Sequence, residues 1–284
     1  MIEIALEWLS GCEGCEVSLL DSLGSILGLI ERGEVKIVYA PLLLDVEDYD
    51  RADIVITTGS IRTVADEERI KRARAKSKHL VALGSCACFG GVHGLADLKA
   101  LNDKFVVNSP GIRLRATLEP VWKVVRVDSA VPGCPPPEKQ LAQFIRNMLN
   151  PFPKDTSKGK KVCDECTRRR SEGEKKIMSM RRDLVGIDAE RCLLDQSVPC
   201  IGFATSSGCG ALCPSLNYPC HGCMGFDENI EEQGNGIARA ISALASILEA
   251  DEVEDALRDP VGFFMKFSYP SFKLKEKKMN GTEG

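Results

Sequence analysis

Ile2, Ile4, Leu6 and Trp8 recur with a period of two, and a helical period follows through Leu19, Leu20, Leu23, Ile26, Leu27 and Ile30 until Gly33 stops it. The pattern predicts strand, turn, helix. Short apolar or β-branched runs at Val35 to Tyr39, Asp53 to Thr57, His79 to Leu83 and Lys123 to Val127 predict further strands. Helices are expected from about Ala65 to Lys78 and from Glu138 to Leu149. Strands alternating with helices imply an α/β fold whose parallel sheet is covered on both faces. Sites in such sheets gather in the loops at the carboxyl ends of the strands. Cys12 and Cys15 follow the first strand, Cys86 and Cys88 the His79 strand, and Cys134 the Lys123 strand, so loops far apart in sequence are expected to meet at one edge.

The pattern changes near residue 150, which divides the chain into a sheet domain over residues 1–150 and a loop-rich domain over 151–284. Pro151 and Pro153 end the preceding helix, and residues 154–182 carry eleven Lys or Arg against five Asp or Glu. This stretch reads as a solvated connector or as a docking face for an acidic partner. Residues 192–223 hold six cysteines among glycine and proline with little periodicity, so side chains alone are not expected to organise them. A helix of small apolar residues is expected from Gly234 to about Glu249, followed by a polar tail from Lys273 to Gly284.

Composition sharpens this picture. A chain of 284 residues that is 44% hydrophobic buries a core without disulfide staples, and its 13 cysteines are an odd number that cannot pair completely. No run reaches the ~18 apolar residues of a membrane span, and a first cysteine at position 12 leaves no room for an export signal before it. A cytoplasmic chain is therefore expected, with reduced thiols that bind metal or do redox work. A formal charge of −4 gives no basic field for nucleic acid. No G-x-G-x-x-G follows a strand, no G-x-x-x-x-G-K-S/T occurs, and Ser, His and Asp form no nucleophilic set.

Thiolate sites take four cysteines, commonly including a C-x-x-C pair. The pairs here are Cys12/Cys15, Cys163/Cys166 and Cys220/Cys223, which suggests three sites using twelve of the thirteen cysteines. Cys86 and Cys134 complete the first, while Cys192, Cys200, Cys209 and Cys213 join the other two pairs. Structural zinc remains open for the C-terminal cysteines. The N-terminal set favours iron–sulfur, because that domain has its own core and needs no metal staple. Gly84, Gly90 and Gly91 around Cys86 offer amides and close approach, and Pro135, Pro136 and Pro137 after Cys134 fix a segment without amide donors.

The strings G-C-E-G-C-E-V-S-L-L-D (Gly11 to Asp21), A-L-G-S-C-A-C-F-G-G-V (Ala82 to Val92) and V-P-G-C-P-P-P (Val131 to Pro137) resemble the proximal-cluster motifs of nickel–iron hydrogenase small subunits. V-C-D-E-C from Val162, C-L-L-D-Q from Cys192 and P-C-H-G-C from Pro219 resemble the cytoplasmic methyl-viologen-reducing, F420-non-reducing group that works with heterodisulfide reductase. The resemblance implies a flavodoxin-like first domain and three four-iron four-sulfur clusters in all. It implies a proximal cluster on Cys12, Cys15, Cys86 and Cys134, and a distal one on Cys163, Cys166, Cys192 and Cys200. The medial cluster falls to Cys209, Cys213, Cys220 and Cys223. Cys163 stands where periplasmic relatives use histidine. Phe203, Ser206 and Glu13 depart from the family pattern but leave the ligands intact. The resemblance further implies an electron-transfer subunit, with the nickel–iron centre in a separate large subunit and a ferredoxin-like or 2Fe-2S subunit of heterodisulfide reductase as acceptor.

Among the remaining candidates, Glu16 is either a residue on the partner's proton path or a helix N-terminal acid. Cys88 reads as a small buried residue, His221 as a packing or hydrogen-bonding group, His93 as a structural or interface histidine, and Arg62 as a surface salt-bridge former or a residue facing the large subunit. The large subunit is expected to cover the face around Glu16, Ser85 and Pro135. Rival readings are a complex I-like relay, a relay whose catalytic partner is altered, and a zinc-stabilised scaffold.

Overall fold

The computed structural model describes residues 1–22, 24, 27–98, 110–148, 159–171, 181, 183–226, 229–247 and 259–272. Five parallel strands form its main sheet: β1 (Ile2–Trp8), β2 (Val35–Tyr39), β3 (Ala52–Thr58), β5 (Ser77–Leu83) and β7 (Ser129–Val131), in the order β2-β1-β3-β5-β7. This is the doubly wound order in which the chain reverses direction of growth beside β1, opening a crevice at the carboxyl edge. Register pairs Ile4 with Ile54 and Leu6 with Ile56, so the period-two pattern sends alternate residues to opposite faces. On one face Ile4, Ile54, Ile56, Val81 and Leu83 pack with Leu19 of α1 (Gly14–Ser22) and with Leu141 and Ile145 of α5 (Glu138–Met148). On the other, Ala5, Val55, Leu80 and Ala82 pack with Ile70 and Ala73 of α3 (Val64–Lys76) and with Ala87 and Phe89 of α4 (Gly84–Phe89).

Within the helix expected over 19–30, the described residues form the end of α1 and the start of α2 (Leu27–Glu31), and Leu23 and Ile26 lie outside the described residues. The α3 helix starts at a capping box, in which Thr63 Oγ1 accepts from the Asp66 amide at 3.0 Å and Asp66 Oδ2 accepts from the Thr63 amide at 2.8 Å. The strand expected at Lys123 to Val127 is not one. Val121–Lys123 form a 3₁₀ turn, and Val124 and Val125 donate back to the Val121 carbonyl at 3.0 Å. Asp128 then ties the chain to β5: its amide donates to the Leu80 carbonyl at 2.9 Å and its carboxylate accepts from the Leu80 amide at 2.8 Å. Pairing begins only at Ser129, so the β-branched composition is overridden by turn hydrogen bonds. Two short antiparallel strands, β4 (Ile61–Thr63) and β6 (Leu114–Glu119), were not foreseen.

The C-terminal part has its own core. Val162, Leu193, Leu194, Val198, Ile201 and Phe226 are buried with Ile237 and Leu244 of α8 (Gln233–Ile247) and Phe264 of α9 (Pro260–Phe264). Apolar packing therefore anchors 193–204, within the stretch whose weak periodicity gave no expected element. The short α6 (Val162–Glu165) and α7 (Leu212–Ser215) carry cysteines, and α10 (Tyr269–Phe272) returns to the sheet domain. There Ser271 Oγ donates to the Phe89 carbonyl at 3.1 Å, and Gly91 N–H donates to the Phe267 carbonyl at 3.0 Å. The tail from Lys273 and most of the basic connector lie outside the described residues.

Glu7 is a buried acid within the sheet, 3% exposed. Tyr49 OH donates to Glu7 Oε1 at 3.0 Å while Oε2 has no hydrogen-bond partner, and burial raises the carboxyl above the ordinary glutamate range. A folded-state pKa above the unfolded one contributes stability at low pH that is lost as pH rises through the folded value. Glu7→Gln is therefore expected to be more stable than wild type at pH 8, with the gap closing toward pH 4 in chemical denaturation. A constant gap would contradict the assignment.

Candidate metal centres

The first cysteine set sits at the carboxyl edge of the sheet. Cys12 follows β1, and Cys15 lies in the first turn of α1 after Glu13 takes φ +67°. Cys86 lies in α4 directly after β5, and Cys134 follows β7. Gly84 adopts φ +87°, and a Cβ built there would lie 2.3 Å from Cys15 Sγ; one built on Gly91 would lie 2.5 Å from Cys86 Sγ. These glycines let the backbone approach the sulfurs closely.

The four thiols interact. Burial, then Cys86, Glu16 and Cys134, raise Cys15. Burial, then Cys134, Cys12 and Glu16, push Cys86 up to about 12. Burial and Cys12 raise Cys134 against the opposing Lys266. A second group forms in the C-terminal part, where burial pushes Cys163 up to about 12 with help from Cys200, Cys192 and Cys166 and against Arg170. Cys200 is raised by burial although the amides of Gly202 and Cys220 donate to its sulfur. Around Cys223, burial, Cys209 and Cys213 push the thiol up to about 12, against the Cys134 backbone. Burial raises Cys220 and Cys213, and raises Cys209 against amides from Ala211 and Leu212. Cys15, Cys86 and Cys134 thus lie near one another and near Cys12, Cys163 lies near Cys166, Cys192 and Cys200, and Cys223 lies near Cys209 and Cys213, while Cys220 lies beside both Cys200 and Cys223. Among the described residues, no three His, Cys, Asp or Glu side chains close on one point as a single ion requires.

The remaining candidates resolve individually. Cys88 is fully buried and its Sγ donates to the Ala82 carbonyl at 3.3 Å, so it is a packing residue. Glu16 is half-buried and accepts from Thr58 Oγ1; it borders a cavity lined by Leu19, Leu42 and Leu43. His93 is internal: Nε2 meets Ser60 Oγ at 2.6 Å, Nδ1 lies 3.9 Å from Cys86 Sγ, and burial and Arg62 lower its pKa. Arg62 pairs with Asp97 at 2.8 Å, largely shielded from solvent. His221 packs edge-on against Tyr218 with ring centroids 5.9 Å apart.

Ser85 corrects an expectation. Placed by sequence on an external face with Glu16 and Pro135, it is 1% exposed and donates from Oγ to the Cys223 carbonyl at 2.6 Å. Pro135 is exposed as expected. Sequence reasoning also missed Glu165, whose two carboxylate oxygens accept from the amides of Gly208 and Gly210 at 2.9 Å and shape the Cys209 loop. Its place inside C-D-E-C was the only available signal.

A doubly wound sheet with thiols at its carboxyl edge and a cysteine-dense second part is the fold of hydrogenase small subunits. The nickel–iron–selenium hydrogenase of Desulfomicrobium baculatum superposes with TM-score 0.52 at 17% identity, over 80% of this chain and 95% of that one. Residues 12–148 match the family described as NADH ubiquinone oxidoreductase, 20 Kd subunit. A subunit of the vhu F420-non-reducing hydrogenase of Methanocaldococcus jannaschii is 34% identical over 97% of this chain and 98% of its own length. The iron-sulfur subunit of an F420-non-reducing hydrogenase from Archaeoglobus profundus is 30% identical over 97% and 98%. The chain belongs to this family of F420-non-reducing hydrogenase iron-sulfur subunits and is a component of an oxidoreductase complex. Among the described residues, no helix is long and apolar enough to cross a membrane.

Proposed function

We propose that this chain relays electrons from hydrogen oxidised in a nickel–iron large subunit, through three four-iron four-sulfur centres, to a cytoplasmic ferredoxin-like or 2Fe-2S subunit of heterodisulfide reductase. Cys12, Cys15, Cys86 and Cys134 would hold the proximal centre within residues 1–150. Within 151–284, Cys209, Cys213, Cys220 and Cys223 would hold the medial centre, and Cys163, Cys166, Cys192 and Cys200 the distal one. When bound, such centres carry single electrons at potentials set by nearby amides and by solvent access.

The observation that carries this reading is the electrostatics of the donor sets. Thiols crowded together, some of them exposed, raise one another and resist ionising together, and a cationic iron core would favour their thiolate forms. Gly84 and Gly91 leave room at the sulfurs that side chains would fill. Cys12 and Cys134 remain exposed, as befits a site that a partner covers. Glu16, which accepts from Thr58 beside the first pair, would take a proton released on the partner's side.

The test is anaerobic purification of the native complex. Nickel in the co-purifying subunit and hydrogen-dependent reduction of methyl viologen are expected. A complex that contains iron but no nickel would instead support a relay serving an altered catalytic partner.

A further inference from the structure

His93 joins two of the loops that frame the first cysteine set. It sits in the 3₁₀ turn Val92–Asp97, which follows α4 and its Cys86. Its Nε2 meets Ser60 Oγ at 2.6 Å, and its Nδ1 faces Cys86 Sγ at 3.9 Å, within reach of an N–H to sulfur hydrogen bond. Ser60 is fully buried and firmly held: its amide donates to the Ser10 carbonyl at 2.7 Å, and the Ser10 amide donates to the Ser60 carbonyl at 3.2 Å. Ser10 lies two residues before Cys12, and its Oγ donates to Asp66 Oδ2 at 2.7 Å. Gly59, at φ +75°, permits this pairing, since a Cβ there would lie 2.6 Å from the Leu9 carbonyl carbon. The amide of Gly91, next to Cys86 Sγ, is already taken by the Phe267 carbonyl at 3.0 Å. The other two histidines are engaged elsewhere, His79 with Ser129 Oγ at 2.7 Å and His221 against the Tyr218 ring.

We propose that His93 is a positioning residue for the first centre: its Nδ1–H, aimed by Ser60, donates to Cys86 Sγ and makes that centre easier to reduce. The inference rests on the reading that this set holds an iron–sulfur centre. Counting donors and acceptors assigns the hydrogens. A sulfur bound to iron has no hydrogen to give, so Nδ1 must supply one. Nε2 then accepts from Ser60 Oγ, whose other acceptor, the Ser10 carbonyl, is farther away at 3.3 Å. The hydrogen bond at one ring nitrogen thereby sets what the other can do, and a partner outside the ligand shell orients and tunes a ligand. Reduction adds one electron to the centre, makes or breaks no bond, and leaves both hydrogens in place. A hydrogen bond to the coordinating sulfur strengthens as negative charge grows there, so it favours the reduced state.

The test uses the whole complex, purified anaerobically, with His93→Leu, His93→Asn and Ser60→Ala. It is read by iron analysis and by potentiometric titration followed by electron paramagnetic resonance, with the signal of the first centre assigned by its change in Cys86→Ser. His93→Leu is expected to keep its iron. At a fixed potential its ratio of reduced to oxidised first centre should be severalfold lower than in wild type. His93→Asn, which carries an N–H near the Nδ1 position, should restore the ratio, and Ser60→Ala should lower it as His93→Leu does. An unchanged ratio in His93→Leu, or a fall that His93→Asn shares in full, would overturn the proposal. Should His93→Leu lose its iron, the wild-type complex carrying isotopically nitrogen-labelled histidine decides. Pulsed resonance of its reduced first centre should show coupling to a histidine nitrogen, and absence of that coupling would overturn the proposal. A wild-type complex with no iron–sulfur signal would refute the underlying reading, and the proposal with it.

Discussion

Gly84→Ala is expected to strip the first site of its iron while leaving the rest of the chain loaded, a loss of about four irons per chain. Two effects combine. The left-handed backbone at φ +87° costs a non-glycine residue about 1–3 kcal/mol. The new Cβ would also fall 2.3 Å from Cys15 Sγ. That sulfur cannot simply retreat, since Cys15 packs against the core formed by Leu19, Leu83 and Val131. Hydrogen-driven reduction of the C-terminal groups should fall to background, while dithionite still reduces them. Gly24→Ala is the control, because a Cβ there meets nothing within 4 Å. Full iron content in Gly84→Ala would show that the Gly84–Cys15 contact does not shape the site.

Cys223→Ala should break the relay in its middle. This thiol lies beside Cys209 and Cys213 and also beside Cys134. Its loss removes a proposed medial ligand. With hydrogen as reductant, the first group should still be reduced, the second should not, and methyl viologen reduction should fall to background. Unchanged reduction of the second group would place it on a route that bypasses Cys223.

The parallel sheet was legible because strands buried on both faces read as apolar runs, and four of the five main strands lie where those runs fall. The gathering of Cys12, Cys15, Cys86 and Cys134 followed from topology, since loops at the carboxyl ends of parallel strands meet at one edge. The stretch from Lys123 to Val127 misled because its composition favours a strand while Asp128 anchors the chain one turn later. In the C-terminal part, Leu193, Leu194, Val198 and Ile201 are spaced by loop geometry and not by any period, so their common core was invisible in the sequence. Ser85 was misplaced for a related reason. Its partner, the Cys223 carbonyl, is 138 residues away, and no local pattern reports a contact of that range.

The central claim is that twelve of the thirteen thiols hold iron. Metal analysis of the anaerobically purified native complex, quantified per copy of this chain, tests it most directly. About twelve irons, with matching acid-labile sulfide, are expected on this chain. About four irons accompanied by zinc would leave the sheet-edge site standing and contradict the three-centre relay, and zinc without iron would contradict the account altogether.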